Sequence, residues 1–237
     1  MEKINKLKTK FQEYNLDGYL IPKNDEFFSE YVPHDKDDLQ YISNFSGSYG
    51  LALILKKNNF LFVDGRYSVQ AEIQSGRKFR VLTLPFTKKK FQLNFKNKKI
   101  GYDPKLFNKN SIKYFSQKLG IICVPVNNNL VRLIKKKKIN KKNKFFYTLD
   151  KSITGANTLE KIKSLKNVFK NNDIDIMLVT SSENIAWLLN IRGSDSDFSP
   201  TPNSFLLIDK QMRIFLFCDL KKISSKFQKK LSFINIL

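Results

Sequence analysis

The chain has 237 residues, 41% of them hydrophobic and 27% charged, with 21 Phe and a formal net charge of +22; this composition excludes a disordered chain and leaves room for one large or two modest domains. The charge is carried almost wholly by lysine, because arginine, the residue suited to bidentate phosphate and base contacts, stands only at Arg66, Arg77, Arg80, Arg132, Arg192 and Arg213, so it is weak evidence for nucleic-acid binding. No segment approaches the roughly eighteen apolar residues of a membrane span, and the N-terminal stretch alternates charges where a secretory signal needs an apolar core; a cytoplasmic protein with no membrane and no nucleic-acid partner is expected.

Ile4, Leu7, Phe11 and Tyr14 recur at helical spacing, and Gly18 stops that helix before the apolar strand Tyr19-Leu20-Ile21. Two apolar runs, 51–55 and 60–63, flank the polar turn Lys56-Lys57-Asn58-Asn59 and predict a β-hairpin. A helix over 67–74, strands over 79–84 and 100–102, a helix over 111–119 and a strand over 121–126 complete a first α/β domain, residues 1–126. Residues 127–144, NNNLVRLIKKKKINKKNK, are too polar and lysine-dense for a core element and predict a linker, a solvated lysine-rich surface helix being the alternative. A second α/β pattern over 145–237 has a helix at 157–171, a strand at 174–180, a short helix at 183–189, strands at 205–208 and 214–217 and a helix at 222–230. The two halves thus look like successive copies of one architecture. The last residues, 232–237, are strand-like and apolar with no polar tail, and an exposed apolar strand is a hazard that complete proteins blunt; further sequence is expected to follow, leaving the second domain incomplete.

Catalytic chemistry is scarce. A nucleophilic triad needs a base, and the one histidine, His34, lies in the polar segment PHDKDD, where a surface position is expected because metal ligands come in sets. Asp35, Asp37 and Asp38 lack the oxygen spacing and turn glycine of a calcium loop and predict a solvated acidic helix start. Gly47-Ser48-Tyr49-Gly50 matches no phosphate-loop spacing. Cys123 and Cys218 sit in apolar strand-like runs as buried free thiols. No catalytic residue and no metal ligand is assigned.

Three segments are more specific: Ser29-Glu30-Tyr31 leading to ISNFSGSYG at 42–50, FVDGRYSVQA at 62–71, and IAWLLNIRGSD at 185–195. In order, and with Gly101-Tyr102-Asp103-Pro104 and Asn129-Leu130-Val131 between them, these segments resemble the Xaa-Pro aminopeptidases of the creatinase/prolidase superfamily, of the long three-domain type, over nearly the whole chain. The resemblance implies two creatinase N-terminal-like domains, each a mixed sheet covered by helices. A pita-bread catalytic domain would follow, holding two divalent metals, manganese by preference, and it has no counterpart in this chain. No cofactor is then bound here. The partners implied are a peptide substrate with proline at its second position and a second copy in a homodimer. Arg66 of the DGRY segment is the one residue carried over as a substrate contact, its alternative role being to pair with a nearby carboxylate and fix the turn. Trp187, Arg192 and Asp195 match the second-domain segment and are read as packing and interface residues, Trp187 as a buried anchor. Arg132 and Lys135 depart from the acidic residue and tryptophan of many relatives, which puts family-like packing of that stretch in doubt. The rival functions are a freestanding peptide- or protein-binding module and a lysine-rich RNA-associated protein.

Overall fold

The computed structural model describes residues 2–85, 95–135 and 144–237. The chain forms two compact units, Met1–Glu26 with His34–Lys138, and Phe27–Pro33 with Ile139–Leu237.

The first unit opens on α1 (Glu2–Glu13), whose Ile4, Leu7 and Phe11 fall on one stripe and are buried; burying each contributes about 1.5–3 kcal/mol. The chain continues through β1 (Gly18–Pro22), α2 (Asp38–Ser43), β2 (Gly50–Leu55), β3 (Asn59–Asp64), α3 (Ser68–Ser75), β4 (Arg80–Leu84), β5 (Lys99–Tyr102), α4 (Lys109–Leu119), β6 (Ile122–Pro125) and α5 (Leu130–Ile134). The strands form one six-stranded mixed sheet in the order β4-β3-β2-β1-β5-β6. β1, β2 and β3 pair antiparallel, while β4, β5 and β6 join by parallel ladders. Both faces of β2 are apolar and buried, which is how a central strand reads when helices lie on each side. Ala52 and Ile54 face the core made with α1, α2, α3 and α5; Leu51, Leu53 and Leu55 face a second core with Phe115 and Leu119 of α4.

The reading of residues 127–144 as too polar to pack is corrected over its first part. Asn129 caps α5 by accepting from the backbone N of Val131 and Arg132, and Leu130 and Val131 are fully buried in the core shared with α1. The lysine density of the whole stretch hid a capped apolar pair. Residues 136–143 lie outside the described residues.

The acidic helix start is also corrected, for Asp37 and Asp38 are buried rather than solvated. Asp37 caps α2, accepting from Gln40 N at 2.9 Å, and pairs with the buried Lys23. The Asp38 carboxylate takes Lys135 Nζ at 2.8 Å, Asn129 Nδ2 at 3.0 Å and Arg132 Nε at 3.3 Å, while Arg132 also pairs with Glu26. Asn129 reaches on to Asp103 at 3.1 Å. The departures at Arg132 and Lys135 therefore supply the cations that neutralise a buried aspartate. His34 and Asp35 are exposed, as expected.

Burial alone would raise the Glu26 pKa, but the hydrogen bond from Arg132 and the charges of Lys36 and Arg132 outweigh it and hold the carboxyl at about 2, against an ordinary 4.5. Because the folded value is the depressed one, its stabilising contribution is complete above pH 4.5 and is lost as pH falls toward 2. Acid titration followed by amide exchange of the first unit is expected to show that loss, and Glu26→Gln to remove that part of the pH dependence.

The second unit runs through β7 (Tyr147–Thr148), α6 (Lys151–Thr154), α7 (Thr158–Asn171), β8 (Ile176–Val179), α8 (Ser182–Leu189), β9 (Ile191–Arg192), β10 (Ser204–Asp209), β11 (Ile214–Cys218), α9 (Ser225–Lys230) and β12 (Ile234–Ile236). Helix α7 begins in a full capping box, Asn157 with Glu160. The helix expected over 222–230 is divided into a 3-10 turn at Leu220–Lys222 and α9, since Ile223 is extended and the Ser224 hydroxyl caps α9 by accepting from Phe227 N. The main sheet has the order β12-β11-β10-β8. Antiparallel β8/β10 and β10/β11 ladders and a parallel β11/β12 ladder repeat the β1/β2, β2/β3 and β3/β4 pairings. Its core gathers Ile162 and Phe169 of α7, Ile185 and Leu189 of α8 and Phe227 of α9 on one face of that sheet. Chain order repeats too, α7-β8-α8-β10-β11-α9-β12 following α1-β1-α2-β2-β3-α3-β4, with the short β9 added in the second unit. Two mixed sheets with helices, of one architecture, are what the sequence predicts.

Candidate functional site

Strand β3 ends on Asp64, and Gly65–Tyr67 turn out of the sheet in a single 3-10 turn before α3. The Asp64 carboxylate closes that turn on its own neighbour. Oδ1 accepts from both the backbone N and Nε of Arg66 at 2.9 Å, and Oδ2 accepts from Nη2 at 3.4 Å. The Arg66 hydrogen bond holds the Asp64 carboxyl below the usual carboxylate range. The guanidinium is nonetheless 74% exposed, with donors left over, and its carbon lies 5.5 Å from the Tyr67 ring centre. The pairing alternative for Arg66 is thus realised, and the side chain remains open to solvent.

The segment at 42–50 packs against this turn. Tyr67 Oη and Ser48 Oγ are 2.8 Å apart, and the Tyr67 ring meets the buried Phe45 edge-on at 5.9 Å. Ser46 N donates to Gln74 Oε1 at 2.9 Å, and Gln70 and Gln74 both donate to Ser46 Oγ. A side chain at Gly47 would begin 2.2 Å from the Phe45 ring, so only glycine lets the loop close over it. Two of the three sequence segments therefore form one structure whose outward product is Arg66. Beside it, Asp64, Tyr49, Leu84, Pro85 and Tyr114 line a cavity of about 350 Å³ at the ends of the parallel β3 and β4, where α/β folds hold ligands.

The Ser29-Glu30-Tyr31 segment does not join them. Residues 27–33 belong to the second unit, correcting the placement of this segment in the first domain. There the Tyr31 carbonyl accepts from Ser196 Oγ at 3.3 Å, its ring meets Phe198 edge-on at 5.3 Å, and Phe27 stacks on Phe205. Aromatic contacts far apart in sequence decide this, and no local pattern announces them.

The third segment is a structural hub. Asp195 Oδ2 accepts from Asn203 N at 2.7 Å, and Oδ1 pairs with Lys222. Arg192 Nη1 donates to the carbonyls of Ala186 and Ile191, each at 2.9 Å. Trp187, read as a buried anchor, is 61% exposed, because α8 buries Ile185, Ala186, Leu188 and Leu189 and turns Trp187 to the other side. Sequence reasoning missed Lys161, which is buried beneath that ring, its Nζ 4.3 Å from the ring centre. It donates to Trp187 O at 2.7 Å and Asn190 Oδ1 at 2.6 Å. The one local signal was Asn190, an αL residue at φ 53° closing α8. The thiols of Cys123 and Cys218 are free and half-buried, and burial pushes Cys218 up to about 11, which suits inert residues.

Among the described residues, no three His, Cys, Asp or Glu side chains converge as a metal-binding group. The carboxylates of Asp38, Asp103 and Glu26 are engaged instead by Arg132, Lys135 and Asn129. This donor set does not fit a dinuclear metal centre.

Tandem α/β units with a shared strand-and-helix order and an arginine-bearing strand end define the class. The Creatinase/Prolidase N-terminal domain matches twice, at residues 3–134 and 135–236, and the chain belongs to that family. It is 33% identical over 250 residues to Xaa-Pro aminopeptidase 1 of Dictyostelium discoideum, covering 97% of this chain and 39% of that protein. It is 27% identical to Xaa-Pro aminopeptidase 2 of Rattus norvegicus, covering 89% of this chain and 33% of that protein. The crystal structure of X-prolyl aminopeptidase from Caenorhabditis elegans, described as a cytosolic enzyme with a di-nuclear active site, superposes with a TM-score of 0.86 at 25% identity, over 99% of this chain and 42% of that one. The chain spans between 33% and 41% of the length of the curated relatives it matches. No helix among the described residues is long and apolar enough to cross a membrane.

Proposed function

We propose that this chain is the N-terminal two-domain portion of a cytoplasmic, metal-dependent Xaa-Pro aminopeptidase, an enzyme that removes the residue ahead of proline from the start of a peptide. The two divalent metals, manganese by preference, belong to a catalytic domain outside the matched stretch. The chain shapes substrate access, supports a homodimer and is inactive alone. The observation that carries this reading is Arg66, a guanidinium fixed by Asp64 at a strand end yet 74% exposed beside a cavity. A preorganised guanidinium suits a peptide carbonyl or carboxylate, which it can hold through two parallel hydrogen bonds.

The test is a chimera in which residues 1–237 precede the remainder of the Dictyostelium relative. Charged hydrogen bonds contribute about 1.5–3 kcal/mol, so Arg66→Ala is expected to raise KM for an Xaa-Pro peptide roughly tenfold to a hundredfold with kcat little changed. An unchanged KM with a lowered Tm would assign Arg66 to the Asp64 turn alone.

A further inference from the structure

Away from the Arg66 turn, another concavity lies wholly within the second unit. The β7–α6 connection, the first turn of α7, the end of α8 and the end of α9 surround a cavity of about 280 Å³. Hydrogen bonds between those elements fix its walls. Leu149 N donates to Asn190 O at 2.8 Å, Thr158 Oγ1 to Leu189 O at 2.9 Å, and Asn190 Nδ2 to Ala156 O at 2.8 Å. The apolar lining is Leu149, Leu159, Leu189, Leu231 and Phe233. Leu189 and Leu231 are buried, whereas Leu159 is 57% exposed and Phe233 39%, so large apolar side chains are left facing solvent.

Two ion pairs stand beside this lining. Lys230 Nζ lies 3.4 Å from Asp150 Oδ1 and Lys151 Nζ 2.6 Å from Glu160 Oε1, and all four side chains are exposed. Asp150, Lys151 and Lys230 line the cavity itself. Asp150 precedes α6 without capping it through its side chain, and its charged partner is the distant Lys230. Exposed pairs of this kind contribute little to stability, so a ligand's charges replace them at small cost. A simple anion would be drawn to the two lysines but would meet the Asp150 carboxylate, and a simple cation would meet the reverse. A zwitterion satisfies both signs. The apolar lining calls for a side chain in addition to the two charges, the usual layout of a small-molecule pocket.

We infer that this cavity binds an α-amino acid with an apolar side chain, its ammonium on Asp150, its carboxylate between Lys151 and Lys230, and its side chain against Leu189, Leu231 and Phe233. Binding there depends neither on Arg66 nor on peptidase activity.

The experiment is calorimetric titration of the 237-residue chain with L-leucine and L-phenylalanine, with amide chemical shifts read at 148–160 and 230–233. Both amino acids are expected to bind saturably and to move those amides. Glycine, which lacks the side chain, should bind roughly tenfold or more weakly; so should N-acetyl-leucine amide, isocaproate and isoamylamine, which lack both charges, the ammonium and the carboxylate respectively. Asp150→Asn should weaken leucine roughly tenfold while strengthening isocaproate, a reversal that misfolding does not produce. Lys151→Gln combined with Lys230→Gln should weaken leucine and isocaproate alike. The altered side chains are exposed, and circular dichroism should not change. Absence of saturable binding of either amino acid at roughly tens of millimolar would overturn the inference. So would N-acetyl-leucine amide or isocaproate binding as tightly as leucine, which would make the cavity a purely apolar or an anion site, and so would leucine binding that none of these substitutions alters.

Discussion

Asp38→Ala is expected to destabilise the first unit by about 3–5 kcal/mol, because removing one member of a buried ionic network leaves its partners uncompensated. Asp38 is 1% exposed and accepts from Lys135, Asn129 and Arg132 at once. Its loss leaves the half-buried Lys135 ammonium with the Asp35 carbonyl and no carboxylate partner, and leaves the Asn129 amide on Asp103 alone. The readout is denaturant dependence of amide exchange in β2 and β3, which reports the first unit specifically. Arg132 keeps Glu26 as a second partner, so Arg132→Ala should cost less. The double variant should cost less than the sum, as groups in one network couple. A loss below about 1 kcal/mol would show that the network contributes no more than a surface pair.

Gly193→Ala is expected to lower the stability of the second unit by about 1–3 kcal/mol, the range for forcing an extra methyl into a packed interior. The new Cβ would lie 2.8 Å from Pro202 Cα, 2.9 Å from Thr201 O and 3.0 Å from the Phe146 ring. Two of those atoms are backbone, so a rotamer change cannot relieve them. The Gly193 N to Pro200 O bond of 3.0 Å would lengthen as the loop parts. Faster amide exchange confined to 190–210 is the expected signature, with the first unit unaffected. An unchanged exchange pattern would mean that the loop yields without cost.

Most of the fold was legible in the sequence, because it rests on local rules. Ile4, Leu7 and Phe11 announced α1 by spacing, Lys56-Lys57-Asn58-Asn59 announced the β2/β3 hairpin, and the repeat of strand and helix order announced two like units. What was hidden depends on pairs distant in sequence. Asp38 reads as a solvated acid until Arg132 and Lys135 arrive from more than ninety positions away. Tyr31 reads as a first-domain residue until Ser196 and Phe198 claim it. Trp187 misleads for another reason: large aromatic residues are usually buried, and only the register of α8 shows that the apolar stripe passes it by. At the candidate site, DGRY and ISNFSGSYG were visible as separate segments. Their union through Tyr67, Ser48 and Phe45 required the structure.

The measurement that tests the functional reading most directly is release of the N-terminal residue from an Xaa-Pro peptide, with manganese added, by the 237-residue chain and by its chimera with the remainder of the Dictyostelium relative. Hydrolysis by the chimera and none by the chain alone is the predicted result. Hydrolysis by the chain alone, dependent on the metal and retained through purification to homogeneity, would contradict it and require a catalytic centre within these residues.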